Sequence, residues 1–200
     1  MKGSTQTRDV KSALLDATDR LLSRHGYMKM TIDDLAAEVG IGKGSVYLHF
    51  SSKEDIALSH IDRIIERLKN RLAEIAARPT TCERRLKEML IERVIFRFDS
   101  VQHYTQSLND LLSKIRPSLL ERRKRYFDEE ARLFATLVKE GVEKGEFAKV
   151  NVNETARSLL LATNSLLPYS LSTQELGERR EIQKRVSALA DLVVHGLTAK

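Results

Sequence analysis

Residues 40–50 read Gly40-Ile41-Gly42-Lys43-Gly44-Ser45-Val46-Tyr47-Leu48-His49-Phe50, or GIGKGSVYLHF, and this stretch decides the fold of the N-terminal part of the chain. Three glycines stand at alternate positions, and an amine, a hydroxyl, a phenol and an imidazole follow them within a few residues. Glycine at this density is typical of a sharp turn, or of a backbone that closely approaches another molecule. The stretch therefore predicts a tight turn that leads into a short polar helix.

The residues before this stretch predict two further helices. A first helix from about Arg8 to His25 carries apolar residues on one face and ends at Gly26. Thr31 begins a second, short helix, in which Asp34 stands at the third position as in a capping box, and Gly40 ends it in a left-handed conformation. Two short helices joined by a glycine-containing turn, after a longer supporting helix, are typical of a helix-turn-helix.

The predicted third helix, from about Lys43 to Phe50, has one apolar and one polar side. At about 100° per residue, Val46 and Phe50 face the core together with Ile41. Leu48 falls on the opposite side, where an apolar contact to a thymine methyl group or a sugar gives it a role. Gly42 is the expected N-cap. The outward residues are Lys43, Gly44, Ser45, Tyr47, Leu48 and His49. Packing of the Tyr47 ring against the supporting helix is the structural alternative.

The rest of the chain also reads as helical. The chain has 200 residues, is 42% apolar and contains only three prolines and nine glycines, and its apolar residues recur at spacings of three and four. We predict an all-α fold of about nine helices. The later helices run from a Ser52 cap toward Pro79, from about Cys82 to Val101, from Tyr104 to Lys114, from Pro117 to about Gly141, from an Asn153 cap through LLLATNSLL, and over residues 182–197.

Composition limits the class of protein without identifying a nucleic-acid-binding end. The net charge is +6, yet residues 1–56 carry eight Lys or Arg and eight Asp or Glu, so the positive excess lies after residue 56. No apolar run reaches the roughly 18 residues that span a bilayer, and the first residues lack the pattern of a signal peptide. We expect a cytoplasmic protein without a membrane partner, in which the single Cys82 forms no internal disulfide.

Enzymatic motifs are absent from the sequence. The GKGS segment departs from a phosphate-binding loop, because Ala37 stands where the first glycine belongs and Gly44 where Ser or Thr must follow the lysine. The five histidines form no His-x-x-x-His pair, and the sequence contains no nucleophile elbow. We therefore expect no catalytic residues, no metal and no cofactor.

The run from Leu14 to about Ile61, which contains LLDATDRLLSRHGYMKMTIDDLAAEVGIGKGSVYLHFSSKEDI, resembles the N-terminal domain of tetracycline-repressor-like (TetR family) transcriptional regulators. The resemblance rests on the threonine-initiated second helix, on Ala36 and Gly40, on the ending Tyr47-Leu48-His49-Phe50, and on Lys53-Glu54 at the start of the next helix. It covers about a quarter of the chain. The later helices match the family only in number, length and order.

The resemblance implies a division of the chain and a set of DNA contacts. Residues 1–51 are expected to form the helix-turn-helix domain, and residues 52–200 a helical effector-binding and dimerisation domain. Thr31 and Lys53 fall on positions that contact the DNA backbone, and Lys43, Gly44, Ser45, Tyr47, Leu48 and His49 on positions that face the DNA. Gly42 stands where many members have serine, so that position has only its backbone N–H to offer a phosphate.

The last two predicted helices are candidates for a homodimer interface. A helix-turn-helix reads only a few base pairs, so useful affinity generally requires a two-fold dimer on a palindromic site. Burial of the same apolar stripes inside one chain is the alternative, and the resemblance favours the dimer. The interface residues that we predict are Leu159, Leu166, Ile182, Val186, Leu189, Val193 and Leu197.

The resemblance also implies a small-molecule pocket in the C-terminal part. Candidate lining residues are Met89, Phe96, His103, Tyr104, Tyr126, Phe127 and Asn164. We expect a regulator, by family habit a repressor, that a largely apolar effector releases from its operator through a population shift. The alternative is a ligand-binding or scaffold protein that no longer binds DNA specifically.

Overall fold

The computed structural model describes residues 3–168, 175 and 177–198, with the side chains of residues 3–9 and 104–109 left aside. Its helices are α1 (Gly3–Lys29), α2 (Ile32–Val39), α3 (Lys43–Tyr47), α4 (Lys53–Ala76), α5 (Cys82–Val101), a 3₁₀ turn (Gln102–Tyr104), α6 (Thr105–Glu143), α7 (Val152–Asn164) and α8 (Arg179–His195). One isolated antiparallel bridge, between Phe147 and Thr198, is the β-structure of the described residues. The all-α prediction is confirmed.

The predicted end of the first helix is confirmed by the backbone at Gly26. Helical hydrogen bonding continues to Lys29, but Gly26 has φ 72° and ψ 168°, a conformation that side chains with a Cβ rarely adopt. The chain therefore bends at Gly26 and makes one more turn before α2 begins. This bend separates the supporting helix from the helix-turn-helix.

Three predicted boundaries were wrong. Residues 105–143 form one helix with Pro117 inside it, where the sequence predicts two. Proline removes one N–H donor, but Leu111 and Ile115 before it are buried in one apolar cluster and Phe134 after it in another, so each half of the helix is held by its own packing. The α7 N-cap is Asn151 rather than Asn153, since the Asn151 side chain accepts a hydrogen bond from the Glu154 N–H at 3.2 Å. Helix α3 ends at Tyr47, short of Phe50.

The chain divides into two compact units. The first unit contains residues 1–64 and 101–120, and the second contains residues 65–100 and 121–200. Helices α4, α5 and α6 each contribute residues to both units, so the units do not follow the order of the chain. The functional boundary at residues 51 and 52 remains a prediction.

The first unit has one apolar core in which the three N-terminal helices meet. Val46 of α3 and Phe50 lie in this core, and Ile41 packs against it. The other buried members include Leu14, Leu21, Leu22, Met30, Leu35, Ala36, Ile56, Leu111 and Ile115. The core therefore fixes the inner side of the helix-turn-helix.

The second unit contains two apolar clusters. The larger one includes Leu68, Leu72, Leu86, Met89, Leu90, Phe134, Leu137, Leu159, Leu160 and Val194. The smaller one includes Val94, Phe98, Leu167, Ile182 and Val186. Among the helices of the described residues, none combines the length and the apolar character needed to cross a bilayer.

A buried ionic network also lies in the second unit. Arg93 Nε donates to Glu130 Oε2 at 2.7 Å, and Arg97 donates to the other carboxylate oxygen. Arg93 also donates to Thr163 Oγ1 at 2.6 Å and to Asn164 Oδ1 at 2.8 Å. Although burial alone raises it, the pKa of Glu130 is held below its ordinary value by the guanidinium groups of Arg97 and Arg93. The network joins α5, α6 and α7.

We predict that Glu130→Gln lowers the free energy of unfolding by about 3–5 kcal/mol, because it leaves two buried guanidinium groups without their carboxylate. Urea denaturation followed by circular dichroism, at matched protein concentration, measures the change. Glu143→Gln on the same helix is the control, since Glu143 is 65% exposed and its pair with Lys139 spans 3.7 Å. We expect the control to change stability by less than about 0.5 kcal/mol.

The difference in stability between wild type and Glu130→Gln should depend on pH. The lowered pKa means that the Glu130 carboxylate stabilises the fold above the ordinary glutamate value of 4.5, and that this stabilisation is lost as the pH falls through the lowered pKa. The difference between wild type and Glu130→Gln should therefore shrink in acid. A cost below about 1 kcal/mol at neutral pH would contradict a structural role for the network.

Candidate nucleic-acid interface

Helix α2 and the turn after it are fixed by local hydrogen bonds. Thr31 Oγ1 accepts from the Asp34 N–H at 3.1 Å, and Asp34 Oδ2 accepts from the Thr31 N–H at 2.9 Å, so the predicted capping box is confirmed. Gly40 ends α2 with φ 74° and ψ 34°, the predicted left-handed conformation, and its N–H is directed to the carbonyls of Ala36 and Ala37. Local hydrogen bonds and the Gly40 conformation therefore fix the turn that leads from α2 to α3.

Helix α3 separates buried from outward residues as its sequence predicts. Val46 and Phe50 are buried, whereas Leu48 is 84% exposed and Tyr47 is 49% exposed. Ser45 and His49 are half-buried, and Lys43, Gly44 and Thr31 are exposed. The largely exposed Leu48 directly follows the half-exposed Tyr47 that ends this five-residue helix, so the surface has both apolar and polar groups for a partner.

The glycines at the start of α3 have no steric cause within the described residues. A Cβ built on Gly42 or on Gly44 meets no atom within 4 Å beyond its immediate chain neighbours and the backbone of its own helix. Glycine inside a helix costs roughly 0.5–1 kcal/mol relative to alanine. Within the described residues, no contact requires glycine at position 44.

Lys43, at the first position of α3, forms an ion pair on the protein surface. Lys43 Nζ lies 2.8 Å from Asp33 Oδ2 in the first turn of α2, with the side chains 52% and 67% exposed. The hydrogen bond to Asp33 raises the pKa of Lys43, and Tyr47 contributes in the same direction. Asp33 is a surface residue of this site that the sequence pattern did not single out, because a carboxylate on an exposed helix face is ordinary.

Lys53 anchors the start of α4. Its Nζ donates to the Met28 carbonyl at 3.3 Å and lies 4.4 Å from the centroid of the Tyr27 ring. Burial lowers the pKa of Lys53, and burial also raises the pKa of Tyr27 to about 12, so the phenol stays protonated. The predicted Ser52 cap is confirmed by the hydrogen bond from the Asp55 N–H to Ser52 Oγ at 3.0 Å. Lys53 is half-buried, and its phosphate contact remains a prediction.

The residues predicted to line an effector pocket are only partly brought together. Met89 and Tyr126 are buried, and Phe96 and Phe127 are half-buried, in the second unit. Asn164 also lies there, and its amide oxygen accepts from Arg93. His103 is exposed and belongs to the first unit, which is a correction. The side chain of Tyr104 lies outside the described residues.

The polar network that includes Asn164 was missed by the sequence reasoning. Arg93 donates to Asn164, and Glu130 and Thr163 both accept from Arg93; none of these three buried residues was predicted to be a site residue. A usable signal was present, since Arg93 and Arg97 stand four residues apart among the apolar residues of α5 and therefore share a face. An arginine pair on such a face indicates a buried carboxylate.

The residues predicted for a homodimer interface lie at different depths. Leu159, Ile182 and Val186 are buried in the core of their own chain, where the alternative interpretation places them. Leu166, Leu189, Val193 and Leu197 are half-buried. The most exposed leucines of α7 and α8 are Leu161, at 61%, and Leu192, at 72%, and neither was predicted. In α8 the buried residues recur every four positions, at Ile182, Val186, Ala190 and Val194, which leaves Leu189, Val193 and Leu192 at least partly exposed.

Comparison with known proteins identifies the N-terminal segment. Residues 14–59 match the model of bacterial regulatory proteins of the tetR family. An uncharacterised HTH-type transcriptional regulator of Bacillus subtilis, YerO, is 30% identical over 108 residues, which cover 52% of this chain and 35% of the relative. The first three curated relatives are covered over 35%, 43% and 43% of their length, so the chain matches less than half of each.

Two longer matches extend over most of the chain. An uncharacterised HTH-type regulator of Mycobacterium bovis, Mb1581, is 26% identical over 171 residues, covering 82% of this chain and 80% of the relative. The crystal structure of a TetR transcription regulator from Haloarcula marismortui matches with a TM-score of 0.75 at 20% identity, covering 96% of this chain and 99% of the other, which shows the fold alone. The relatives are transcriptional regulators, in agreement with the expectation that the chain is not an enzyme.

We predict that Leu48→Ala changes the free energy of unfolding by less than about 0.5 kcal/mol, because the side chain is exposed. Val46→Ala, two residues earlier, should cost about 1–3 kcal/mol, because its side chain is buried beneath α3. Thermal and urea unfolding of the two variants measure both values. A cost for Leu48→Ala equal to that for Val46→Ala would show that Leu48 is a core residue and that the outward surface is assigned wrongly.

Proposed function

We propose that this chain is a regulator of the tetR family, whose model matches residues 14–59, and that it represses transcription by binding a palindromic DNA operator as a homodimer until a small effector releases it. The observation that carries the proposal is the outward side of α3. There Tyr47 and Leu48 are exposed beside Lys43, while Val46 and Phe50 are held in the core. A short helix with one side fixed and the other side free is suited to entering the major groove.

The outward residues have separate proposed roles in the groove. Leu48 contacts a thymine methyl group or a sugar, and Ser45 hydrogen-bonds a base edge. Tyr47 and His49 reach phosphate oxygens, and Gly44 lets the helix backbone approach the duplex. The open space around Gly44 supports this proposal, because the protein itself leaves that position uncrowded.

The starts of α2 and α4 supply proposed phosphate contacts. The Thr31 and Ser52 side chains accept from the Asp34 and Asp55 N–H groups, and the proposed phosphate donors are the other backbone N–H groups of the two first turns, where the helix dipole favours an anion. Lys53 adds a positive charge at the start of α4. Since phosphate contacts fix position rather than sequence, these groups would set the register in which α3 reads the bases.

A homodimer is part of the proposal. One helix-turn-helix reads a half-site, and two-fold symmetry doubles the contact on a palindrome. Leu161 of α7 and Leu192 of α8 are the exposed apolar residues that favour these two helices as the interface, together with the half-buried Leu166, Leu189, Val193 and Leu197. The buried Ile182 and Val186 would pack into the core of their own chain and so hold α8 in place beneath that interface.

The effector is proposed to be small and largely apolar. The second unit offers apolar walls at Met89, Phe96 and Phe127, with the amide of Asn164 as a polar group. Helix α4 has residues in both units, which offers a covalent path for coupling. The effector must prefer the non-binding conformation, because equal affinity for both states would shift no population. Such a regulator would act in the cytoplasm.

We predict that duplexes selected from a random pool will share a palindrome, and that Leu48→Ala weakens binding to it by about ten-fold or more with little effect on unselected DNA. The Tyr47→Ala variant should weaken binding to all duplexes, because its proposed contact is a phosphate. Fluorescence anisotropy at several salt concentrations measures both effects. Lys114→Met on α6 is a control outside the helix-turn-helix, and it should leave the preference for the palindrome unchanged.

The same measurement decides between the proposal and its alternative. Weak, sequence-indifferent binding that is equal in wild type, Leu48→Ala and Tyr47→Ala would show a protein that has kept the fold without specific DNA binding. A selected palindrome that both variants bind as tightly as wild type would place the DNA contact elsewhere on the chain.

We also predict that Leu192→Glu dissociates the homodimer and lowers operator affinity, because it places a charge in an apolar interface. Sedimentation velocity gives the oligomeric state, and anisotropy gives the affinity. Leu120→Glu is the matched control, since Leu120 is an exposed leucine of α6 at 49%. Unchanged sedimentation of Leu192→Glu, at concentrations where wild type is dimeric, would contradict the proposed interface.

A further inference from the structure

Asp33 places a carboxylate on the surface that α3 presents outward. Its Oδ2 lies 2.8 Å from Lys43 Nζ, and its side chain is 67% exposed. Lys43 opens α3, and the N-terminal residues of a recognition helix are the ones that reach base edges. The ion pair therefore lies where the proposed DNA contact begins.

Stability does not account for this pair. An exposed Lys–Asp pair contributes about 0–1 kcal/mol. The capping role in α2 is already filled by Asp34, whose carboxylate accepts from the Thr31 N–H, whereas the Asp33 carboxylate is turned to Lys43. The pair thus joins α2 to α3 without being needed to begin either helix.

A carboxylate at this place is unfavourable for binding DNA in general. It repels phosphates, and it neutralises a lysine that would otherwise add to non-specific attraction. A carboxylate on this surface favours binding only where it hydrogen-bonds a particular base. In the major groove a carboxylate accepts a hydrogen bond from the N4 amino group of cytosine, and an ammonium group donates to O6 or N7 of guanine.

The cytosine N4 and guanine O6 groups lie side by side in one base pair. Guanine O6 and cytosine N4 are hydrogen-bonded to each other in a G·C pair, at about the 2.9 Å of an ordinary N–H···O bond. The Asp33 and Lys43 atoms are separated by 2.8 Å, nearly the same distance. The ion pair can therefore align with the edge of the base pair, carboxylate to N4 and ammonium to O6, without being broken.

We propose that Asp33 is a specificity-determining residue, and that Asp33 and Lys43 together read one G·C base pair in each half-site of the operator. This inference rests on the proposed function as a DNA-binding regulator. It predicts opposite effects of Asp33 on two kinds of DNA. The carboxylate strengthens discrimination at one base pair and weakens binding to all other sequences.

The test is selection from random duplexes by the full-length wild type, Asp33→Ala and Lys43→Met, followed by anisotropy on single duplexes. Wild type should select a palindrome with one G·C pair per half-site whose replacement by A·T lowers affinity about ten-fold or more. In both variants the same replacement should cost less than about two-fold, while the other selected positions stay unchanged. Asp33→Ala should also bind unselected DNA several-fold more tightly than wild type.

Asp110→Asn is the matched control, because it removes one exposed negative charge of α6 in the first unit. It should leave the preference for the G·C pair intact. Thermal unfolding checks that Asp33→Ala remains folded, as its exposure predicts.

Two results would overturn the inference. If Asp33→Ala selects the same bases as wild type and binds operator and unselected DNA more tightly by one common factor, Asp33 acts only through bulk charge. If wild type selects no sequence at all, the proposed function fails, and the inference fails with it. The first result leaves the proposed function intact, so the two failures are distinguishable.

Discussion

Burial of Val46 and Phe50 is the constraint on which the outward surface of α3 depends. A helix of five residues is not stable alone in water, because nucleation fixes several residues for few hydrogen bonds. Two side chains inserted into the core of the first unit hold it in place. Leu48 and Tyr47 are then exposed as a consequence of the helical period, so packing on one side produces the contact surface on the other.

The second unit is constrained by charge as well as by apolar burial. Arg93, Arg97 and Glu130 are buried together, and such a cluster tolerates only arrangements that keep each charge paired and hydrogen-bonded. Thr163 and Asn164 bring α7 into the same network. An effector in this unit would meet a core in which small displacements carry a large electrostatic cost, which favours two discrete conformations over a gradual change.

Local chemistry made the N-terminal helices predictable. Three features involve only residues within a few positions of one another: the Thr31–Asp34 capping box, the left-handed Gly40 and the bend at Gly26. The spacing in the sequence is therefore enough to predict them. The long helix through Pro117 was not predictable in this way. Its continuity comes from burial on both sides of the proline, which a local rule does not register.

The sequence alone determined the all-α class, the caps and turns of the first three helices, and which side of α3 faces outward, because each follows from contacts within one or two turns. Tertiary structure decided the rest. It turned Ile182 and Val186 inward and left Leu192 exposed, paired Arg93 of α5 with Glu130 of α6, 37 residues further along the chain, and set Asp33 beside Lys43. These arrangements depend on how separate helices pack, and packing between distant segments has no local signal in the chain.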